Sequence, residues 1–109
     1  MNSFLPPEWA PQSAVMLTWP RTDGDFADCH AEVEDTFTRI AVAISRHQTV
    51  HINGSGLKPA ELRQHLVTAG VHDERLRIYP VPSDDVWARD HGPITVHRDG
   101  RRVHLDFGF

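Results

Sequence analysis

Three short β-type runs alternate with two segments of helical period in the first 79 residues, and this alternation limits the chain to few folds. Ala14-Val15-Met16-Leu17-Thr18-Trp19 is a compact apolar run closed by Pro20, which predicts a buried strand. A polar loop follows from Arg21 to Asp28. From about Cys29 to Arg46, Val33, Phe37, Ile40, Ala41 and Ile44 recur at three and four residues. That spacing puts one apolar stripe on a helix. Asp28 suits the N-cap, and Glu32 supports the first turn. Thr49-Val50-His51-Ile52 predicts a β-branched strand, and Asn53-Gly54-Ser55-Gly56 breaks it. A second helix is expected to open at Pro59, run through Leu62, Leu66 and Val67, and stop at Gly70. Leu76-Arg77-Ile78-Tyr79 reads as a third strand, ended by Pro80 and Pro82.

After the third strand the pattern changes. Ile94–His97 and Val103–Phe107 flank Asp99-Gly100, a strong hairpin signal. The class is therefore α/β. Residues 1–12 hold three prolines and predict an extended lead-in, with Trp9 as its anchor onto the body. The chain stops at Phe107-Gly108-Phe109, in or just after a strand, which suggests a truncation.

Between the third strand and the hairpin lies Ser83-Asp84-Asp85-Val86-Trp87-Ala88-Arg89-Asp90-His91-Gly92-Pro93. Carboxylates seldom sit inside a protein unless paired, and surface loops rarely spend a Trp. Two readings of this stretch stand side by side. In one, Trp87 plugs the core and Asp90 pairs with Arg89 or caps a turn. In the other, the stretch binds a guanidinium: Asp90 matches its paired N–H edge, and the Trp87 indole lies against its flat face. Residue types alone favour the first. Asp84 and Asp85 after Pro82 fit ordinary turn chemistry, with ligand contact the second option.

Other chemistries find little support. The eight histidines form no H-E-x-x-H and no set joined to C-x-x-C, so no metal site is expected. His97 and His104 are placed to face each other across the hairpin. Cys29, the only cysteine, sits at a predicted helix start, where an inert structural role is commoner than a nucleophilic one. With one cysteine there is no internal disulfide, and a cytoplasmic setting fits. A net charge of -4 argues against a nucleic-acid partner. There is no signal peptide and no apolar run near the ~20 residues of a membrane helix, so no membrane partner is expected. The length, 109 residues, is that of one modest domain.

Three segments, taken in order, resemble the N-terminal part of the agmatine deiminase family, which includes the bacterial peptidylarginine deiminases. They are Pro7-Glu8-Trp9-Ala10-Pro11 with Leu17-Thr18-Trp19-Pro20, then Ser83–Pro93, then Leu105-Asp106-Phe107-Gly108-Phe109. The W-x-R-D-x-G-P core is the most specific of them. The resemblance covers the whole chain but only the first part of the family's length. It implies a pentein fold, a five-bladed α/β propeller of which residues 1–109 supply about one to two blades of a single deiminase domain. It also implies hydrolysis of a guanidinium to a ureido group with loss of ammonia, as when agmatine gives N-carbamoylputrescine in polyamine metabolism. A cysteine thiolate attacks, two carboxylates hold the guanidinium, a histidine moves protons, and no metal or organic cofactor takes part.

Carried over by position, Asp90 matches the first guanidinium-binding aspartate and Trp87 the tryptophan of the substrate slot. Asp85 is placed to face the site. Arg89 braces Asp90, and His91 has no assigned role. The nucleophile, histidine and second aspartate of the family fall beyond residue 109, and Cys29 does not match the nucleophile. The resemblance thus implies an enzyme fragment with a small cationic guanidinium substrate, inactive by itself. A peptidyl- or free-arginine substrate, a non-catalytic guanidinium-binding module and homo-oligomer formation stay open.

Overall fold

The computed structural model describes residues 2–82 and 92–106. Three parallel strands, β2 (Ala14–Thr18), β3 (Thr49–Asn53) and β4 (Leu76–Tyr79), form one sheet in that order. Helix α1 (His30–Ser45) connects the first pair and α2 (Pro59–Ala69) the second. Parallel neighbours need such crossovers, and the alternation of the sequence supplied them.

Register explains the core. Val15, Val50 and Leu76 lie abreast, as do Leu17, Ile52 and Ile78. These rows meet the helices. Val50, Ile52, Leu66, Leu76 and Ala41 are fully buried together, with Phe37, Val42, Ile44 and Leu62 packed around them. The intervening rows lie on the opposite face. There the Thr18 hydroxyl donates to Asn53 Oδ1 at 2.9 Å, and His51 stacks on Tyr79 with its Nδ1 3.1 Å from the phenol oxygen.

The α1 stripe is rotated from its expected position. Ile40 is exposed and Val42 packs inward, because α1 leans on α2 as well as on β3. Asp28 is not the N-cap. Residues Ala27–Cys29 form a 3-10 turn that runs into α1, and Cys29 takes the cap position with no side-chain hydrogen bond.

Helix α2 has the expected bounds. Pro59 opens it, and Gly70 closes it at φ +120, where the Val71 N–H donates to the Leu66 carbonyl at 2.9 Å. An added Cβ at Gly70 would touch Val42 only at an ordinary 3.5 Å, so backbone conformation sets the cost of a side chain there. Gly70→Ala is expected to destabilise the fold by about 1–2 kcal/mol. In urea unfolding this appears as a lower midpoint at unchanged slope.

The second sheet is antiparallel, in the order β1 (Ser3–Phe4), β5 (Ile94–Arg98), β6 (Arg101–Leu105). Asp99 and Gly100 turn the hairpin with φ of 50 and 78, the two positive angles a two-residue turn of this kind requires. The lead-in contributes β1, which the sequence did not reveal. Phe4 pairs with His97 in register and stacks on its ring at 4.9 Å. His97 and His104 therefore do not face each other. His97 stands opposite Arg102, and His104 stands opposite Thr95, whose hydroxyl lies 2.8 Å from its Nδ1.

Trp9 is not an anchor. It is 87% exposed, at the tip of a turn closed by the Ala10 N–H on the Pro7 carbonyl. Among the described residues the buried indole is Trp19, 3% exposed, which meets Phe37 edge-on at 5.7 Å.

Candidate functional site

Asp85, Trp87, Arg89 and Asp90 lie outside the described residues, as does His91. What the structure gives is their frame. Residues 83–91 leave the carboxyl end of β4 through Pro80-Val81-Pro82 and enter β5 through Gly92-Pro93. Thr18, Asn53 and Tyr79 lie abreast at the carboxyl ends of β2, β3 and β4. In open α/β sheets this edge is where ligands bind.

The same edge carries a cleft of about 740 Å³. Its floor and walls come from four separate segments. Trp19, Arg21 and Asp23 follow β2; His30 and Glu34 stand on α1; Gly56 and Lys58 follow β3; Glu61 and His65 stand on α2. Each helix thus contributes a His and a Glu four residues apart, one above the other on a single face. Gly56, at φ +69, passes the rim with open space where a Cβ would stand.

The polar groups of this cleft are held from behind. The Trp19 indole N–H donates to Glu34 Oε2 at 2.9 Å. His30 Nε2 lies 3.2 Å from the Pro20 carbonyl, which can only accept. Arg21 grips Asp23 through two nitrogens at 2.9 and 3.0 Å. The hydrogen bond from Arg21, and then its charge, hold the Asp23 carboxyl below its ordinary range. Cys29 does not line the cleft. Among the described residues no group of three His, Cys, Asp or Glu side chains is placed to hold a metal ion. No described helix is long and apolar enough to cross a membrane.

The sequence displayed the two four-residue His and Glu spacings, but nothing local said that they would face each other. Only the fold brings residues 30–34 and 61–65 to one cleft.

Comparison with known proteins now adds to the geometry. The chain matches the Porphyromonas-type peptidyl-arginine deiminase family over residues 4–109. It belongs to that family. A curated relative, the agmatine deiminase of Stutzerimonas stutzeri, is 34% identical over 97 residues, covering 88% of this chain and 25% of the relative. Among solved structures, a Porphyromonas gingivalis protein provisionally named an arginine deiminase is 40% identical, with a TM-score of 0.77 over 99% of this chain and 31% of that one. The C. jejuni agmatine deiminase, 21% identical, shares the fold with a TM-score of 0.82 over 98% of this chain and 32% of its own. The chain spans about a quarter of the length of the curated relatives it matches.

Proposed function

We propose that this chain is the N-terminal part of an amidine hydrolase that deiminates agmatine, and that it supplies one half of the guanidinium clamp. The family match over residues 4–109 carries the reading, because it takes in the whole Ser83–Pro93 stretch. In this reading Asp90 binds the guanidinium edge, Trp87 lies against its face, Asp85 faces the site and Arg89 braces Asp90. A cysteine, a histidine and a second aspartate come from outside residues 1–109. The thiolate adds to the guanidinium carbon and ammonia leaves with a proton from the histidine. Water then attacks the amidino-thioether carbon and releases the ureido product and the thiolate. None of these steps needs a metal or redox cofactor.

The fold supports the placement. The β2-α1-β3-α2-β4 unit is proposed as the first blade of a five-bladed propeller, and the β5-β6 hairpin as the start of the next. That a cysteine-to-serine variant of the C. jejuni enzyme, similar in fold, was solved with substrate bound supports a small-molecule substrate. A second reading has an observation of its own. The matching family is described by peptidyl-arginine, and the 40%-identical structure is named for arginine, so arginine or an arginyl peptide competes with agmatine.

The test is the deiminase-length protein offered agmatine, arginine and an arginyl peptide at equal concentration, with ureido product and ammonia measured. Agmatine is expected to give at least a tenfold higher kcat/KM. A preference for the arginyl substrates transfers the function to the second reading. If no substrate turns over while calorimetry still detects agmatine binding to the 109-residue chain, a non-catalytic guanidinium-binding module replaces both.

A further inference from the structure

We infer that the outer face of the β1-β5-β6 sheet binds the phosphoryl group of a small phosphomonoester. Side chains alternate across a strand, so Val96, 9% exposed, and its register partner Val103 mark the inner face. His97, Arg102 and His104 stand on the other face, together with Thr95 and Phe4. His97 is directly opposite Arg102, and His104 lies two residues along β6 from it. Directly opposed Cβ atoms are about 4.5–5.5 Å apart, and diagonal ones about 7–8 Å. One guanidinium and two imidazoles therefore surround a patch the size of a single tetrahedral oxyanion.

Positive charge is concentrated at this end of the hairpin. The chain carries a net charge of -4, yet Arg98, Arg101 and Arg102 fall within five residues. Arg98 stands opposite Arg101, and Arg102 opposite His97. Like charges facing each other across a ladder are destabilising. Asp99, in the turn between them, spends Oδ1 on the Asn2 N–H at 3.1 Å. Arg98 gives its Nε–H to Ser3 Oγ at 3.0 Å. The Arg102 side chain has no hydrogen-bond or ion-pair partner among the described residues. Asp106, exposed just beyond β6, pairs with neither Arg102 nor His104. Both rings can take a second proton without losing a contact. Thr95 Oγ1, 2.8 Å from His104 Nδ1, has lone pairs to accept from it, which leaves Nε2–H for a ligand. The Phe4 ring, stacked 4.9 Å from His97, tolerates a cationic neighbour on its face. A phosphoryl dianion accepts from all three side chains and relieves the repulsion between them. Phe4, 59% exposed, gives the organic part of an ester an apolar contact beside the anion, which favours a phosphomonoester over free phosphate.

The chain, isotope-labelled, is titrated with phenyl phosphate at pH 6.5 while the His97 and His104 ring signals and the Arg102 Nε–H signal are followed. Saturable shifts in all three are expected, with a Kd on the order of 1–10 mM. Arg102→Gln, at an exposed position, is expected to weaken binding about tenfold, and His104→Gln about threefold. Backbone amide signals of α1 and α2 report whether each variant is folded. Arg39→Gln, on α1 and outside this sheet, should leave the titration unchanged. Histidine charge is lost between about pH 5 and 8, while a phosphomonoester only gains charge as pH rises, so affinity should fall several-fold from pH 6.5 to pH 8. Linear shifts without saturation would overturn the inference, as would equal affinity in Arg102→Gln or an affinity that rises with pH. Equal binding of inorganic phosphate, equal binding of phenol, or tighter binding of a phosphoserine peptide would overturn it too.

Discussion

Asp90→Ala, made in the deiminase-length protein, is expected to lower kcat/KM for agmatine by about two orders of magnitude. A carboxylate facing a guanidinium makes two parallel charge-assisted hydrogen bonds, and losing them inside a closed site costs ~2–3 kcal/mol of transition-state binding. Each ~1.4 kcal/mol is a factor of ten in rate. The size of the effect separates the two readings of the stretch. If Asp90 only pairs with Arg89 on a surface loop, its removal costs about 0–1 kcal/mol of stability and leaves the kinetics near normal. Asp90→Asn sharpens the comparison, since an amide keeps one acceptor and the shape but not the charge. It should lie between alanine and the parent protein. A near-normal kcat/KM for Asp90→Ala would remove Asp90 from the clamp, whatever the enzyme's substrate proves to be.

Local signals made much of the scaffold readable. The bounds of α2 follow from Pro59 and from Gly70, whose φ of +120 few other residues accept. The hairpin follows from Asp99-Gly100, both at positive φ. Strand β4 has the predicted limits because prolines close it and its apolar residues alternate. The misreadings share a cause in distance along the chain. Strand β1 has two residues, and its pairing with β5 spans more than ninety positions. No pattern within the first twelve residues could announce it. Trp9 and Trp19 are alike in composition terms. One closes a proline-flanked turn in solvent, while the other ends a strand under α1 and finds Glu34 for its N–H.

The site divides in the same way. The Ser83–Pro93 stretch is contiguous, so a guanidinium-binding role could be proposed from residue order alone; residues 83–91 lie outside the described residues, and the family match takes in the whole stretch. The cleft is assembled from four segments that only the folded backbone brings together.

Ile52→Ala tests the link between the core and both of these features. Ile52 is 0% exposed on the central strand, abreast of Leu17 and Ile78 and under the two helices. Truncation removes three carbons from a close-packed site, and the neighbours can collapse only partly. The expected loss is about 3–4 kcal/mol, within the range for buried Ile and Leu. A domain of this size has roughly 5–15 kcal/mol in total, so this one change should remove a quarter or more of it. Ile40→Ala serves as the control, because the same side chain stands exposed on α1 and its truncation should cost under about 1 kcal/mol. Urea midpoints for the pair decide the point. Equal losses would contradict the rotation of α1 that packs Val42 against the core and frees Ile40. A large gap would support it, and with it the position of Asn53, the next residue of β3, at the carboxyl edge of the sheet.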